Sequence, residues 1–138
     1  MFISAYAKVG GLVWVPRMLE KIRRHAAGGL PADYVPYLGK GFDKRCALFL
    51  GVDYGALTAR VLEGGTDEEI LAWCFVTGRQ PSENEILVWN EYMIKRGWRD
   101  TDRAPNDLQE YKDKYGMGHR TDILTYFDFY EVDEGRRP

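Results

Sequence analysis

The chain of 138 residues predicts an all-α protein, one domain over residues 1–138 built as a bundle of six to seven short helices around a central N-terminal helix. Three observations lead there. Val9–Gly29 carries Leu12, Val15, Leu19, Ile22 and Ala26 at alternating three- and four-residue spacings, one apolar face of a helix. Thr66–Glu69 and Ser82–Glu85 are capping boxes, in which a hydroxyl and a Glu three residues on satisfy each other's backbone amides at a helix start. The one late stretch rich in strand formers, Asp122–Tyr130, has no other segment to pair with.

In chain order, Met1–Lys8 reads as an arm and Gly10-Gly11 as a flexible break. The first helix starts between Leu12 and Pro16, since proline is tolerated only in the first turn, and Gly28-Gly29 ends it. Leu30–Lys40 holds two prolines and a glycine, so it is a loop, yet Tyr34, Val35, Tyr37 and Leu38 give it apolar surface to pack down. Ordered loops of this kind either cover a core or frame a site. A second helix spans Phe42–Leu50, and a third, Tyr54–Glu63, is capped by Asp53. The two capping boxes open helices at Asp67–Thr77 and Glu83–Arg96. After a polar link, Trp98–Asn106, come a thin-striped helix at Asp107–Tyr115 and a helix at Asp122–Tyr130. Glu131–Pro138 reads as a charged, solvated tail.

The composition, 45% hydrophobic and 29% charged, is that of a soluble globular chain. No segment approaches the roughly 20 apolar residues of a membrane span. The N-terminus lacks a basic region before its apolar run, so a cytoplasmic protein is expected. Cys46 and Cys74 sit beside apolar neighbours and read as buried and reduced. Charge is uneven: residues 1–50 hold 8 Lys and Arg against 3 Asp and Glu, and residues 51–138 hold 11 against 18. The two halves either attract each other across the fold or leave a basic face for an external anion.

Arg17, Lys21 and Arg24 form one stripe on the first helix. Cations near a helix N-terminus oppose the helix dipole unless an anion is present. The stripe is thus either a site for a carboxylate or phosphate, or a set of ion pairs to acids such as Asp43 or Asp53. Arg45, Asn90 and Trp98 are candidate walls of such a site. Asn90 lies on the apolar stripe of its helix, so its amide ties down a loop or points into a pocket. Trp98 with Arg96, Arg99 and Asp100 either stacks on a ligand or closes the fold. Metal binding reads poorly, with two unrelated histidines and no ligand-spaced cysteines. His25 with Asp43 leaves general acid–base work open. A helix-turn-helix reading fails because Glu83 and Glu85 would meet phosphates, so no DNA partner is expected. The best functional reading is binding of an anionic small molecule; the alternative is an interaction module or homo-oligomer that buries Tyr34, Tyr37 or Trp98. No cofactor is expected.

Several motifs together resemble a bacterial family, the domain of unknown function 5069 family. They are Gly10-Gly11, Pro16-Arg17-Met18, Gly41-Phe42-Asp43 with Arg45-Cys46, Phe49-Leu50-Gly51-Val52 and Gly65-Thr66-Asp67-Glu68-Glu69-Ile70. Farther on are Trp73-Cys74, Gly78-Arg79 with Pro81-Ser82, Trp89-Asn90, the run from Lys95 to Asp100, and Asp133-Glu134-Gly135-Arg136. The chain departs from the family pattern before Gly10, where Ile3–Lys8 replaces a Pro-Arg-Ser-Pro-like approach. The resemblance implies a small helical protein and carries no activity, cofactor or catalytic residue with it.

Overall fold

Gly10 and Gly11 are not a loose break. Both take left-handed backbone, at φ 56 and φ 79, and turn the chain back on itself. Strands β1 (Lys8–Val9) and β2 (Leu12–Val13) pair across this turn as a small antiparallel hairpin. Two successive positive φ values suit glycine because a Cβ would be strained there. At Gly10 a Cβ would also meet the side chain of Leu71. The preceding segment packs down with the hairpin: Phe2 and Ala5 are buried.

The computed structural model describes residues 2–138. It is predominantly helical, with seven α-helices among those residues: α1 (Val15–Ala26), α2 (Phe42–Leu50), α3 (Tyr54–Leu62), α4 (Asp67–Thr77), α5 (Glu83–Lys95), α6 (Ala104–Lys114) and α7 (Tyr126–Asp133). A single 3-10 turn, Val35–Tyr37, lies in the long loop between α1 and α2. Helix α1 is central as expected. Met18, Leu19 and Ile22 enter the main core with Leu50, Leu57, Ile70, Met93 and Phe127.

Both capping boxes are present, with Thr66 accepting from Glu69 N and Ser82 from Glu85 N, each at 3.2 Å. Asp53 caps α3 through Ala56 N at 3.0 Å. Two late boundaries move. Helix α6 starts at Ala104, three residues earlier than the stripe suggested, because Pro105 fits the first turn and Asp102 accepts from Ala104 N at 3.0 Å. Helix α7 runs over Tyr126–Asp133 rather than Asp122–Tyr130. Thr125 accepts from Asp128 N at 3.0 Å and fixes its start. A smaller core of Leu108, Ile123 and Phe129 joins α6 to α7.

The tail is not solvated throughout. Glu134 is nearly buried and accepts from Arg17, Arg136 and the Tyr34 hydroxyl. Arg136 also donates to the carbonyl of Phe2 at 2.7 Å, so the two ends of the described chain are tied together. Both cysteines are free and buried.

Candidate functional site

An aromatic cleft of about 710 Å³ opens between α1, the 33–41 loop, the start of α2, and helices α6 and α7. Each wall has a local cause. Trp14 enters from the residue before α1, where φ is 75. A tryptophan in left-handed backbone costs of order 1–3 kcal/mol. Its ring contacts hold it there: Phe42 lies at 5.0 Å, Phe127 at 5.9 Å, and the indole N–H donates to Asp43 Oδ1 at 2.9 Å. The loop supplies Tyr34 and Tyr37; it packs down less than its apolar content predicted, with Tyr34 and Leu38 half-buried and Val35 and Tyr37 exposed. Tyr37 and Tyr111 face each other at 6.1 Å. Helix α7 supplies Tyr126, Phe129 and Tyr130, and α6 supplies Tyr111 and Tyr115.

Burial shapes the ionisation of these phenols. It pushes Tyr126 up to about 12 and Tyr130 well above the ordinary phenol range, so both stay neutral hydroxyls at any physiological pH. Tyr34 is raised too, by burial first and by the Glu134 carboxylate it donates to second.

The predicted basic stripe divides. Arg17 is 3% exposed and lines the cleft. Its fork binds Glu134 at 2.8 and 2.6 Å and reaches Ile3 O at 3.0 Å. Its Nε–H is buried without a partner. Burial alone would weaken its protonation, but Glu134 outweighs it and the guanidinium is held more firmly charged. For Glu134 burial pushes upward, and the hydrogen bonds and charge from Arg17 prevail, holding it below the usual carboxylate range. Lys21 also lines the cleft and pairs with Asp43 at 2.8 Å. Burial depresses its pKa, and Asp43 offsets only part of that. Asp43 is fully buried and accepts from Trp14 and from Gly39 N at 3.2 Å. His25 is exposed and is not among its partners. Arg24 lies outside the cleft, pairs with Glu20 at 2.7 Å and sits 4.6 Å from the Phe2 ring.

Of the candidate walls, Arg45 does line the cleft, exposed, with its guanidinium 5.8 Å from the Tyr92 ring. Asn90 does not. Its Oδ1 accepts from Val13 N at 3.0 Å and its Nδ2 donates to Gly11 O at 2.7 Å, which clamps the hairpin onto α5. Trp98 is 45% exposed, has Arg99 stacked at 4.9 Å, and borders a separate depression of about 340 Å³. Sequence reasoning missed Lys40 and Lys114 at the rim, and Tyr126, Phe129, Tyr130 and Asp133 on α7. The aromatic run from Tyr126 to Tyr130 was the available signal.

Charge around the cleft is unevenly spent. Arg96 is paired with Asp100 and Asp102. Lys40, Arg45 and Lys114 have no carboxylate within 4.0 Å among the described residues, and all three are exposed. Asp133 and Asp33 stand on the loop and α7 side; burial, then Glu134 and Asp33, raise Asp133 above the usual carboxylate range. The cleft therefore offers flat apolar faces, neutral phenols and unpaired rim cations. Among the described residues, no group of three or more His, Cys, Asp or Glu side chains is placed to hold a metal ion, and no helix is long and apolar enough to cross a membrane.

No curated protein matches the chain. The family described as Domain of unknown function (DUF5069) matches residues 1–136, nearly the whole length, and the chain belongs to that family.

Proposed function

We propose that the cleft binds a small molecule with a flat aromatic or conjugated body and an anionic group, a carboxylate or phosphate. One observation carries the reading: a 710 Å³ aromatic cleft has cations at its rim, Lys40, Arg45 and Lys114, that no carboxylate of the described residues approaches within 4.0 Å. The volume falls in the range of small-molecule sites. Ring faces favour stacked or edge-on contact with a planar ligand, and the rim cations suit its negative end. Arg17 and Lys21 stay in the reading as wall residues whose charge is already met by Glu134 and Asp43. Arg45 passes from possible wall to principal anion contact. Two reduced, buried cysteines fit a reducing compartment, the cytoplasm.

Thermal unfolding with a panel of aryl carboxylates and aryl phosphates tests this. A rise in melting temperature that Arg45→Gln diminishes supports it, and a panel that leaves the wild type unmoved refutes it. A second reading rests on the exposed Leu48, Val76, Leu87 and Val88 of α2, α4 and α5. These favour a protein contact, and sedimentation as a concentration-dependent dimer is its test.

A further inference from the structure

Lys21 is an unusual feature of the cleft wall. Its side chain is 8% exposed, yet it borders the cavity. An ammonium has three N–H donors. Among the described residues Asp43 is the one carboxylate within 4.0 Å of Lys21, and no other protein group takes a hydrogen bond from it. The other buried lysine, Lys112, instead donates to a backbone carbonyl, that of Ile123 at 3.2 Å, and does not border this cleft. Lys21 Nζ also lies 5.0 Å from the Trp14 ring. A buried lysine–aspartate pair is a poor source of stability against an apolar replacement of similar volume. The pair carries no net charge, so at this point of the wall it does not call for a second anion. It suits a neutral, polarised group.

Resting on the reading of the cleft as an anion site, we propose that Lys21 is a nucleophilic amine, and that the ligand is an aldehyde or ketone whose carbonyl carbon it attacks to form an imine. The ligand's anionic group then lies toward Arg45, Lys40 and Lys114.

The step balances without a redox partner. The Lys21 ammonium passes a proton to Asp43, leaving a neutral amine. The nitrogen lone pair forms a C–N bond as the carbonyl π pair moves to oxygen, and a proton shifts from nitrogen to that oxygen to give the carbinolamine. Asp43 returns its proton to the hydroxyl, which leaves as water, and the nitrogen lone pair closes the C=N bond of a protonated imine. One water is released, the positive charge stays on nitrogen, and Asp43 ends as it began, a carboxylate beside a cation. Burial, which lowers the proton affinity of Lys21, works in the same direction.

The test uses pyridoxal 5′-phosphate as probe, a flat aromatic aldehyde with a phosphate, and pyridoxal as the same aldehyde without it. Each is incubated with the full chain below stoichiometry and reduced with borohydride, and the adduct is mapped by peptide mass. Non-covalent binding is followed in parallel by tryptophan fluorescence. The expected result is an adduct predominantly on Lys21 among the seven lysines, more with the phosphate than without it. Lys21→Arg keeps the ion pair with Asp43 but cannot form an imine, so it loses the adduct while fluorescence still reports binding. Adducts confined to exposed lysines such as Lys40, Lys44 or Lys114 overturn the imine and leave the anion reading standing. An equal Lys21 adduct from both probes supports the imine and removes the anion reading. An absence of both binding and adduct overturns both.

Discussion

Arg17 and Lys21 show why a basic stripe read from spacing alone stayed ambiguous. Their partners, Glu134 and Asp43, lie 117 and 22 positions away in the chain, and no local pattern links them. Removing one member of a buried pair leaves an uncompensated charge, a loss of about 3 kcal/mol or more. Glu134→Gln is expected to lower stability by that amount at neutral pH in chemical denaturation. The pH dependence follows from the sign of each shift. Glu134 is held below its ordinary 4.5, so its contribution is fully present above about pH 4.5 and is lost as the pH falls through the folded value. Asp133 is raised above 3.8, so its contribution is present below 3.8 and is lost as the pH rises through its folded value. The wild type should therefore lose stability below about pH 4.5, with a shallower acid limb in Glu134→Gln. A variant whose acid limb matched the wild type's would contradict the assignment. Asn90 is a simpler case. Asn90→Ala leaves Val13 N–H and Gly11 C=O without their partner, an expected cost of about 1–3 kcal/mol, with no change in binding of any cleft ligand.

Helix starts were the most legible parts of the chain, because a capping box is a local device: both partners lie within three residues. Thr66→Ala and Ser82→Ala should each cost about 1 kcal/mol, and the double variant about the sum, since the boxes open separate helices. The start of α7 was misplaced because Thr125 and Asp128 form a weaker signal than Ser/Thr with Glu, and because Ile123 belongs to the smaller core without being helical. The turn at Gly10-Gly11 was visible as glycine but not as a hairpin, since strands of two residues are too short to show alternation. Gly78 has a cause outside its own helix. A Cβ there would run into the carbonyl oxygen of Leu50, where Arg79 N donates back to that same oxygen at 3.0 Å. Gly78→Ala should cost about 1–3 kcal/mol by forcing α2 and α4 apart, read as a lowered denaturation midpoint with unchanged slope.

Across the entire fold, the basic first third and the acidic remainder do meet, as their uneven charge suggested, and they meet at the ends of the chain. Glu131, Glu134 and Arg136 join Ser4, Phe2 and Arg17 in one network. Deleting residues 134–138 removes the partner of Arg17 and one support of the cleft wall. A fall in melting temperature of about 10 °C is expected for a loss near 3 kcal/mol in a chain of this size, together with weakened binding of any cleft ligand. If the truncated chain melted like the full one, the tail would not be part of the folded unit. The helical class, the central place of α1, the capped helix starts and the buried cysteines are written locally, in periodicity and in residues that satisfy their own backbone. The cleft is not. Its rings come from five separated segments, and whether a cation on its wall is spent or available depends on which distant carboxylate folding brings beside it. Sequence spacing carries no term for that, because Coulomb and hydrogen-bond energies depend on distance in space, and only the packing of α7 and the tail against α1 sets those distances.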